Sequence, residues 1–289
     1  MQIYDLGVVG HITKDVIEFK EKKYVKLGGV SYYFSIAARS FGLNIIVLTK
    51  TSKNYKNNLR ELEKYGIDIL WKESKNTTLF RNIYRRSDDK RIQYVEKIAD
   101  PFTLDEILKI NAKIIHFGPL TNKDIGISVY EQVKKMKKCK ISLDIQGHLR
   151  EIKNNKVYLK KLKNLDFLHY VDILKCNEEE IQVLTGTKDI KKAIKFLSDY
   201  CNEIIVTLGS KGSTIYYEGN LYKIPVFKPR RFVDVTGCGD TYMAAYLAMR
   251  YYGFDPKESG LFASMIAGLK IEKKGAWDIK INLLQESNQ

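Results

Sequence analysis

The sequence has little cysteine, and the four cysteines show no pairing pattern. No C-x-x-C pair is present, and no histidine is spaced from a cysteine as in a zinc site. These absences exclude a disulfide-stapled fold and a cysteine-based zinc centre, so we expect reduced thiols. The cysteines are Cys139, Cys176, Cys201 and Cys238.

Long apolar runs are also missing from the sequence. No stretch approaches the roughly 18 consecutive apolar residues of a membrane-spanning helix, although 44% of the 289 residues are hydrophobic. Residues 1–11, MQIYDLGVVGH, have neither the basic start nor the long apolar segment of a signal peptide. We therefore expect a soluble cytoplasmic protein with a sizeable core and no membrane partner.

Acidic residues are outnumbered by basic ones, and the net charge is +15. Nucleic-acid-binding proteins have such a balance, but here Lys and Arg are scattered over most predicted helices and form no single block. The basic runs at 20–26, 134–140 and 159–165 are typical of solvated faces. Charge alone assigns no function. We expect no nucleic-acid partner, and a basic nucleic-acid-binding or regulatory protein stays as the alternative from another class.

Short β-rich segments alternate with helical segments, which predicts an α/β fold with a doubly wound, mostly parallel sheet and helices on both faces. The predicted strands lie at 4–11, 44–49, 112–118, 140–144, 171–176 and 202–209, and a hairpin at 213–225 turns at Gly219 and Asn220. The predicted helices lie at 30–42, 54–66, 123–137, 178–185, 188–200, 238–252 and 257–271. No repeat or linker divides the chain, which predicts a single domain over 1–289.

Two segments interrupt this alternation. Residues 15–29 and 68–97 have the pattern of β-strands without an intervening helix, and the SDDK at 87–90 has the composition of a hairpin turn. We predict a small β lid over a cleft, formed by residues 15–27 and 77–96. Its candidate selectivity residues are Arg81, Gln93 and Tyr94. The alternative is a hairpin that extends the sheet or joins two copies into a homodimer.

Residues 231–250, RFVDVTGCGDTYMAAYLAMR, join a loop of small residues to an apolar helix. Such a loop directs backbone N–H groups and the positive end of the helix dipole to one point, which favours an anion. The loop residues are Thr236, Gly237, Cys238 and Gly239. Asp240 would repel a static phosphate, but it can accept a proton from a hydroxyl that attacks phosphorus. The alternative is a plain turn with a dipole-favoured aspartate. The same dipole predicts a thiolate at Cys238.

The pattern D-x-T-G-x-G-D before a helix of small residues resembles the signature of the ribokinase-like (PfkB) carbohydrate kinases, with Cys238 where the family usually has alanine. Because the loop acts through its backbone, we expect the cysteine to be tolerated. Four further segments extend the resemblance over nearly the whole chain, at 10–15, 27–42, 175–186 and 206–213. The resemblance implies a ribokinase-like fold and an ATP-dependent kinase, with Asp240 as general base and the amides of 237–239 as the anion hole.

The same resemblance implies further roles, and each is carried over by residue. Asp15, Gly28 and Gly29 are expected to bind the substrate, and Glu180 is expected to organise Mg²⁺ and its waters. The expected nucleotide and phosphate contacts are Asn177, Thr207, Gly209, Gly212 and Thr236. A monovalent cation is a further candidate cofactor. A capped helix at 177–180 and a plain turn at 209–212 are the alternatives for those segments.

The acceptor is the least defined part of the resemblance. Gapless alignment of Gly28, Gly29 and Gly42 puts Tyr33 where ribokinases carry a substrate-binding asparagine. Residues 142–150, SLDIQGHLR, resemble a D-x-Q-x-x-x-R pattern of inositol-kinase-like members, which adds Gln146 and Arg150 to the substrate candidates. Arginine can neutralise phosphate bidentately, although a surface ion pair is the alternative. We expect a sugar or cyclic polyol as acceptor, with a nucleoside as the nearest alternative.

Overall fold

The structure of the protein is a computed structural model that describes residues 2–19, 22–84 and 92–283. Its larger sheet has nine strands in the order β15-β14-β13-β12-β9-β8-β1-β4-β5, and all strand pairs from β13 to β5 are parallel. Its strands are β1 (Tyr4–Val9), β4 (Ile45–Thr51), β5 (Asp68–Glu73), β8 (Ala112–Phe117), β9 (Lys140–Asp144), β12 (Ile173–Asn177), β13 (Glu203–Thr207), β14 (Ser213–Tyr217) and β15 (Asn220–Ile224).

Helices cover both faces of this sheet. The helices are α1 (Val30–Ser40), α2 (Arg60–Glu63), α3 (Leu104–Ile107), α4 (Ser128–Met136), α5 (Glu178–Thr185), α6 (Ile190–Leu197), α7 (Cys238–Tyr251) and α8 (Pro256–Ile271). One buried apolar cluster joins the sheet to α1, α7 and α8, and another joins it to α4, α5 and α6. Residues Thr241–Met249 of α7 are all buried, which fits a helix that is apolar on every side. The predicted doubly wound α/β class is confirmed.

A second sheet of six strands, in the order β10-β11-β7-β6-β2-β3, forms the lid. Its strands are β2 (Thr13–Phe19), β3 (Lys22–Gly28), β6 (Leu79–Tyr84), β7 (Ile92–Lys97), β10 (Arg150–Lys153) and β11 (Lys156–Leu159). The predicted lid segments supply four of these strands, and the sequence prediction missed β10 and β11. Their hairpin turns at Asn154 and Asn155, both with positive φ, and this Asn-Asn pair was the available signal. The turn predicted at 87–90 lies outside the described residues.

Several predicted boundaries differ from the structure. The helix expected at 54–66 is a 3₁₀-helix over Lys53–Leu59 followed by the single turn of α2. The hairpin after β14 turns at Glu218 and Gly219, both with positive φ, one residue earlier than predicted. Residues 68–73 form the edge strand of the large sheet, outside the lid. Within the described ranges, no helix has the length and apolar character to cross a bilayer.

Candidate active site

A cavity of about 370 Å³ lies between the carboxyl ends of the parallel strands, the start of α7 and the lid. This edge of an open α/β sheet is where ligands usually bind. Eleven of the residues singled out in the sequence line the cavity, namely Asp15, Gly29, Tyr33, Gln93, Gln146, Arg150, Thr236, Gly237, Cys238, Gly239 and Asp240. The structure therefore brings residues 15–33, residues 236–240 and the 142–150 segment together around one cavity.

The loop before α7 has the geometry of an anion site. Gly237 is the N-cap of α7 with φ +77, and the first N–H groups of a helix have no partner within the helix. A Cβ on Gly237 would lie 2.2 Å from the ring of Tyr33, so both its φ and its surroundings require glycine. A Cβ on Gly239 would come no closer than 3.3 Å to Lys175. Both glycines therefore let the backbone approach neighbouring groups closely, and the Cys238 N–H makes one long hydrogen bond, of 3.3 Å, to the Val235 carbonyl.

Asp240 lies in the first turn of α7 and faces this cavity. Burial and the nearby negative charge of Asp144 raise the pKa of Asp240 from 3.8 to about 7, although Lys175, Arg150 and Lys270 oppose the shift. A carboxylate with such a pKa is poised to accept and release a proton near neutral pH.

Sequence reasoning missed a buried ion pair in the cavity. Nζ of Lys175 lies 2.6 Å from Oδ2 of Asp144, and the two side chains are 7% and 2% exposed. Burial lowers the pKa of Lys175, but the charges of Asp144 and Glu180 and the Asp144 hydrogen bond raise it overall, so the ammonium stays charged. The available signal was a lysine in the otherwise apolar strand β12. The pair places a positive charge next to the anion loop.

One side of the cavity, where the substrate residues were predicted, is built on β2, β3 and α1. Thr13 donates a hydrogen bond of 2.7 Å to Asp15, whose other oxygen lies against the backbone of Gly28. Gly29 is the N-cap of α1 with φ +85. The hydroxyl of Tyr33 is buried without a hydrogen-bond partner, and burial, with the charges of Asp234 and Asp15, raises its pKa. An unpaired buried hydroxyl in a cavity wall suits a polar ligand group.

The lid contributes one of its three predicted selectivity residues. Gln93 lines the cavity with Phe80, and its amide donates to Asn82 at 3.0 Å. Arg81 instead stacks on Tyr94, with the guanidinium 4.8 Å from the ring centre. Side chains alternate between the two faces of a strand, so this pair lies on the opposite face and the prediction for these two residues was wrong.

Three residues of the segment 144–150 line the cavity, namely Asp144, Gln146 and Arg150. Gln146 lies in a short 3₁₀ turn capped by the Asp144 carboxylate. Arg150 begins β10, and its Nη1 donates to the Leu120 carbonyl at 3.0 Å. The charge of Arg150 acts on Asp240 and Glu180, lowering the pKa of each. Arg150 therefore lies close enough to these two carboxyl groups to affect their ionisation.

Asn177 and Glu180 form the capping box of α5. The Asn177 side chain accepts from the Glu180 amide at 2.9 Å, and Glu180 Oε2 accepts from the Asn177 amide at 2.8 Å. The capped-helix alternative is thus realised. Glu180 is also 4% exposed, and burial and the Asp144 charge raise its pKa. The capping box uses Oε2 of Glu180 and does not involve Oε1.

Three of the predicted nucleotide residues, Thr207, Gly209 and Gly212, lie at or just after the end of β13. Thr207 pairs in register with Asn177 at the carboxyl ends of adjacent parallel strands. Gly209 has φ +57 and open space where a Cβ would stand, whereas a Cβ on Gly212 would clash with the Ile224 carbonyl at 2.1 Å. These four residues and Glu180 do not line the 370 Å³ cavity, so their nucleotide and metal roles stay predictions.

The predicted thiolate at Cys238 is wrong. Cys238 is half-buried, whereas the other three cysteines are buried. Burial raises the pKa of Cys238 to about 11, and this desolvation, with the charges of Asp234 and Asp240, outweighs the opposing charge of Lys270.

The carboxylate side chains near the cavity are compatible with a magnesium ion that takes only one or two ligands from the protein. Within the described residues, no group of three or more His, Cys, Asp or Glu side chains is arranged to hold a metal ion. Mg²⁺ keeps several waters and often binds one or two carboxylates plus phosphates. Burial is the larger cause of the raised pKa values of Glu180 and Asp240, and the Asp144 charge adds to it, so a divalent cation beside these carboxylates would lower both pKa values.

Comparisons with known proteins agree with this geometry. Residues 8–281 match the model of the pfkB family carbohydrate kinases. The cytidine kinase of Thermococcus kodakarensis is 25% identical over 96% of this chain and 99% of its own length. A solved pyrophosphate-dependent kinase of the ribokinase family, complexed with a pyrophosphate analog and myo-inositol, has a TM-score of 0.86 at 24% identity, over 94% and 96% of the two chains.

A third relative has a different acceptor. The Arabidopsis thaliana ribokinase complexed with ribose and ATP has a TM-score of 0.74 at 20% identity, over 97% of this chain and 96% of its own. These structures share the fold but differ in acceptor and phosphoryl donor. The family match spans almost the whole chain, and the ribokinase-like fold and the carbohydrate-kinase signature are thereby confirmed. The chain belongs to the pfkB family of carbohydrate kinases and is a phosphotransferase.

Proposed function

We propose that the protein transfers the γ-phosphoryl group of ATP to a hydroxyl of a small sugar or polyol. One observation carries the proposal: Asp240, with its pKa raised to about 7, lines the same cavity as Gly237, Cys238 and Gly239 of the loop that precedes it. A binding protein needs an anion loop but has no use for a proton acceptor beside it.

In the proposed reaction, the acceptor hydroxyl loses its proton to Asp240 as its oxygen attacks phosphorus. The amides of Gly237, Cys238 and Gly239 stabilise the charge on the moving phosphoryl group. Lys175 and Arg150 add positive charge at the same side of the cavity. Magnesium, held by Glu180 and water, would neutralise phosphate charge. Thr207, Gly209 and Gly212, with Asn177 and Thr236, would position the nucleotide.

The character of the lining supports a hydroxyl-rich acceptor. Asp15, Gln93 and Gln146 present carboxylate and amide groups, and the Tyr33 hydroxyl is unpaired. Such groups suit several hydroxyls on one small ring, whereas a nucleobase usually needs a broader apolar slot. The lid would exclude water from the transferred phosphoryl group. We also propose that β3, the exposed edge strand of the lid, is where two copies would pair.

A nucleoside kinase is the second candidate, and the cytidine kinase that matches along its whole length supports it. The phosphoryl donor has an alternative as well, because one structural relative is a pyrophosphate-dependent kinase. The deciding experiment is a matrix of donors and acceptors with magnesium present. ATP and pyrophosphate are each tested with ribose, fructose, myo-inositol, cytidine and adenosine, and phosphorylated product is measured by mass spectrometry.

We expect transfer from ATP to a sugar or polyol, and Asp240→Asn should reduce kcat by ~10²-fold or more. Asp199→Asn, at an exposed aspartate two residues past the end of α6, is the matched control and should keep wild-type turnover. Preference for cytidine or adenosine would replace the sugar or polyol acceptor by a nucleoside. Residual kcat above about a tenth of wild type in Asp240→Asn would remove the base from the proposal.

A further inference from the structure

The last turn of α8 carries a lysine whose side chain is fully buried. The Lys270 ammonium donates a hydrogen bond of 2.8 Å to the backbone carbonyl of Asp234 and lies 3.9 Å from the Asp234 carboxylate. It also stands 5.7 Å from the ring centre of Tyr33. A cation is favoured at a helix C-terminus, where the dipole is negative.

This ammonium lies behind the anion loop. The Asp234 carboxylate, at the start of the loop, accepts from the Thr236 amide at 2.9 Å and from Lys26 of the lid at 3.2 Å. The charge of Lys270 reaches the front of the loop as well, because it lowers the pKa values of Cys238 and Asp240 against the opposing effect of burial. The loop therefore lies between the Lys270 ammonium and the cavity.

A monovalent cation that assisted this loop would have to bind behind it, since the front faces the phosphate. Asp234 offers a carbonyl and a carboxylate there, but Lys270 already contacts the carbonyl, and the carboxylate already accepts from Lys26 and from the amides of Thr236 and Gly275. Two unit charges about 4 Å apart repel each other enough to weaken binding of a second cation by ~10²-fold to 10³-fold near a protein surface. These residues do not fit the monovalent cation expected from the family resemblance.

We propose that the Lys270 ammonium is a built-in cation that replaces a monovalent metal ion behind the anion loop, so that turnover needs no added potassium. The proposal rests on the proposed function, because it assigns Lys270 as a positioning residue for the loop. It accounts for a costly feature: burial lowers the pKa of Lys270, and a position needed only for packing would hold Met or Leu at lower cost.

The first experiment measures kinase turnover of the wild type at constant ionic strength. Tetramethylammonium chloride is replaced stepwise by potassium, sodium or ammonium chloride. We expect no change in kcat or in acceptor KM. A several-fold stimulation by potassium or ammonium would overturn the proposal, whatever the variants do.

Three variants then locate the effect. Lys270→Ala leaves a space behind the loop, so we expect kcat at least ~10-fold lower in tetramethylammonium, with partial recovery in ammonium or potassium chloride. Lys270→Met fills most of the space without charge and should lose turnover without recovery. Lys274→Ala, an exposed lysine four residues along, is the control and should match the wild type. Wild-type kcat in Lys270→Met would contradict the proposal.

A readout without substrate separates this proposal from the proposed function. If the Lys270 charge acts on the loop, Lys270→Met raises the pKa of Cys238 further, and alkylation of Cys238 at pH 9, followed by peptide mass mapping, slows several-fold. An unchanged alkylation rate overturns the role of Lys270, even if the wild type is an active kinase. Slowed alkylation in a protein that phosphorylates no acceptor supports Lys270 and refutes only the proposed function.

Discussion

Removing the charge of Asp240 should stabilise the free protein while it lowers turnover by ~10²-fold or more. In the folded protein, burial and the Asp144 charge raise the Asp240 pKa from 3.8 to about 7. The folded state therefore binds more protons than the unfolded state between about pH 4 and pH 7. Stability from this group is greatest below the unfolded pKa, falls as pH rises through that window and levels off above the folded pKa. Asparagine is neutral at every pH, so the variant does not lose this stability as pH rises.

The expected magnitude follows from the two pKa values of Asp240. A difference of roughly three pH units, at about 1.4 kcal/mol each, corresponds to about 4 kcal/mol at pH 8 as an upper bound. At pH 5 only part of the window has been crossed, and the same relation yields about 2 kcal/mol. The gain in unfolding free energy of Asp240→Asn over wild type should therefore grow by about 2 kcal/mol from pH 5 to pH 8.

The assay is urea unfolding followed by tryptophan fluorescence at pH 5, 6.5 and 8, without nucleotide or magnesium. Any packing difference between Asn and Asp is constant with pH, so the growth of the gain isolates the ionisation. Asp199→Asn is the control and should show a flat difference. A gain that is constant or falls as pH rises would show that folding does not raise the pKa of Asp240, and the reasoning would fail.

Three further variants test other parts of the site. Glu180→Gln keeps the capping box, which accepts Gln as well as Glu, and removes a buried carboxylate whose pKa is raised, so thermal stability should hold or rise while the magnesium concentration for half-maximal turnover rises several-fold. Gly237→Ala should cost ~2 kcal/mol or more of stability and nearly all turnover, because its Cβ would meet an aromatic ring at 2.2 Å at φ +77; Gly239→Ala should be milder. Gln93→Ala should raise acceptor KM with little change in nucleotide affinity, whereas Arg81→Ala on the opposite lid face should leave KM unchanged.

Each of these predictions has a distinct contrary result. An unchanged magnesium titration in Glu180→Gln would reduce that residue to a helix cap. Equal losses in Gly237→Ala and Gly239→Ala would mean that the aromatic ring and the positive φ at Gly237 do not set its requirement. A higher acceptor KM in Arg81→Ala than in Gln93→Ala would place the acceptor elsewhere than the cavity face of the lid.

Local patterns in the sequence were enough to predict the doubly wound fold and four strands of the lid, and the anion loop is a prediction that depends on the same kind of local pattern. Alternating strands and helices depend on residue periodicity, and the Gly237 to Asp240 segment depends on backbone geometry, both of which are encoded over a few residues. The capping box of Asn177 and Glu180 is local in the same way. The hairpin at Asn154 was equally local, and it was missed because its strands have four residues each.

The electrostatic properties of the site were decided by the tertiary structure alone. The pairing of Lys175 with Asp144 joins residues 31 positions apart, and the contact of Lys270 with Asp234 joins residues 36 apart. The sequence suggested a lowered pKa for Cys238 from the helix dipole, but the fold buries the thiol and raises its pKa. Desolvation and distant charges sum over neighbours from many parts of the chain, so the sequence determined which groups are present and the tertiary structure determined how they ionise.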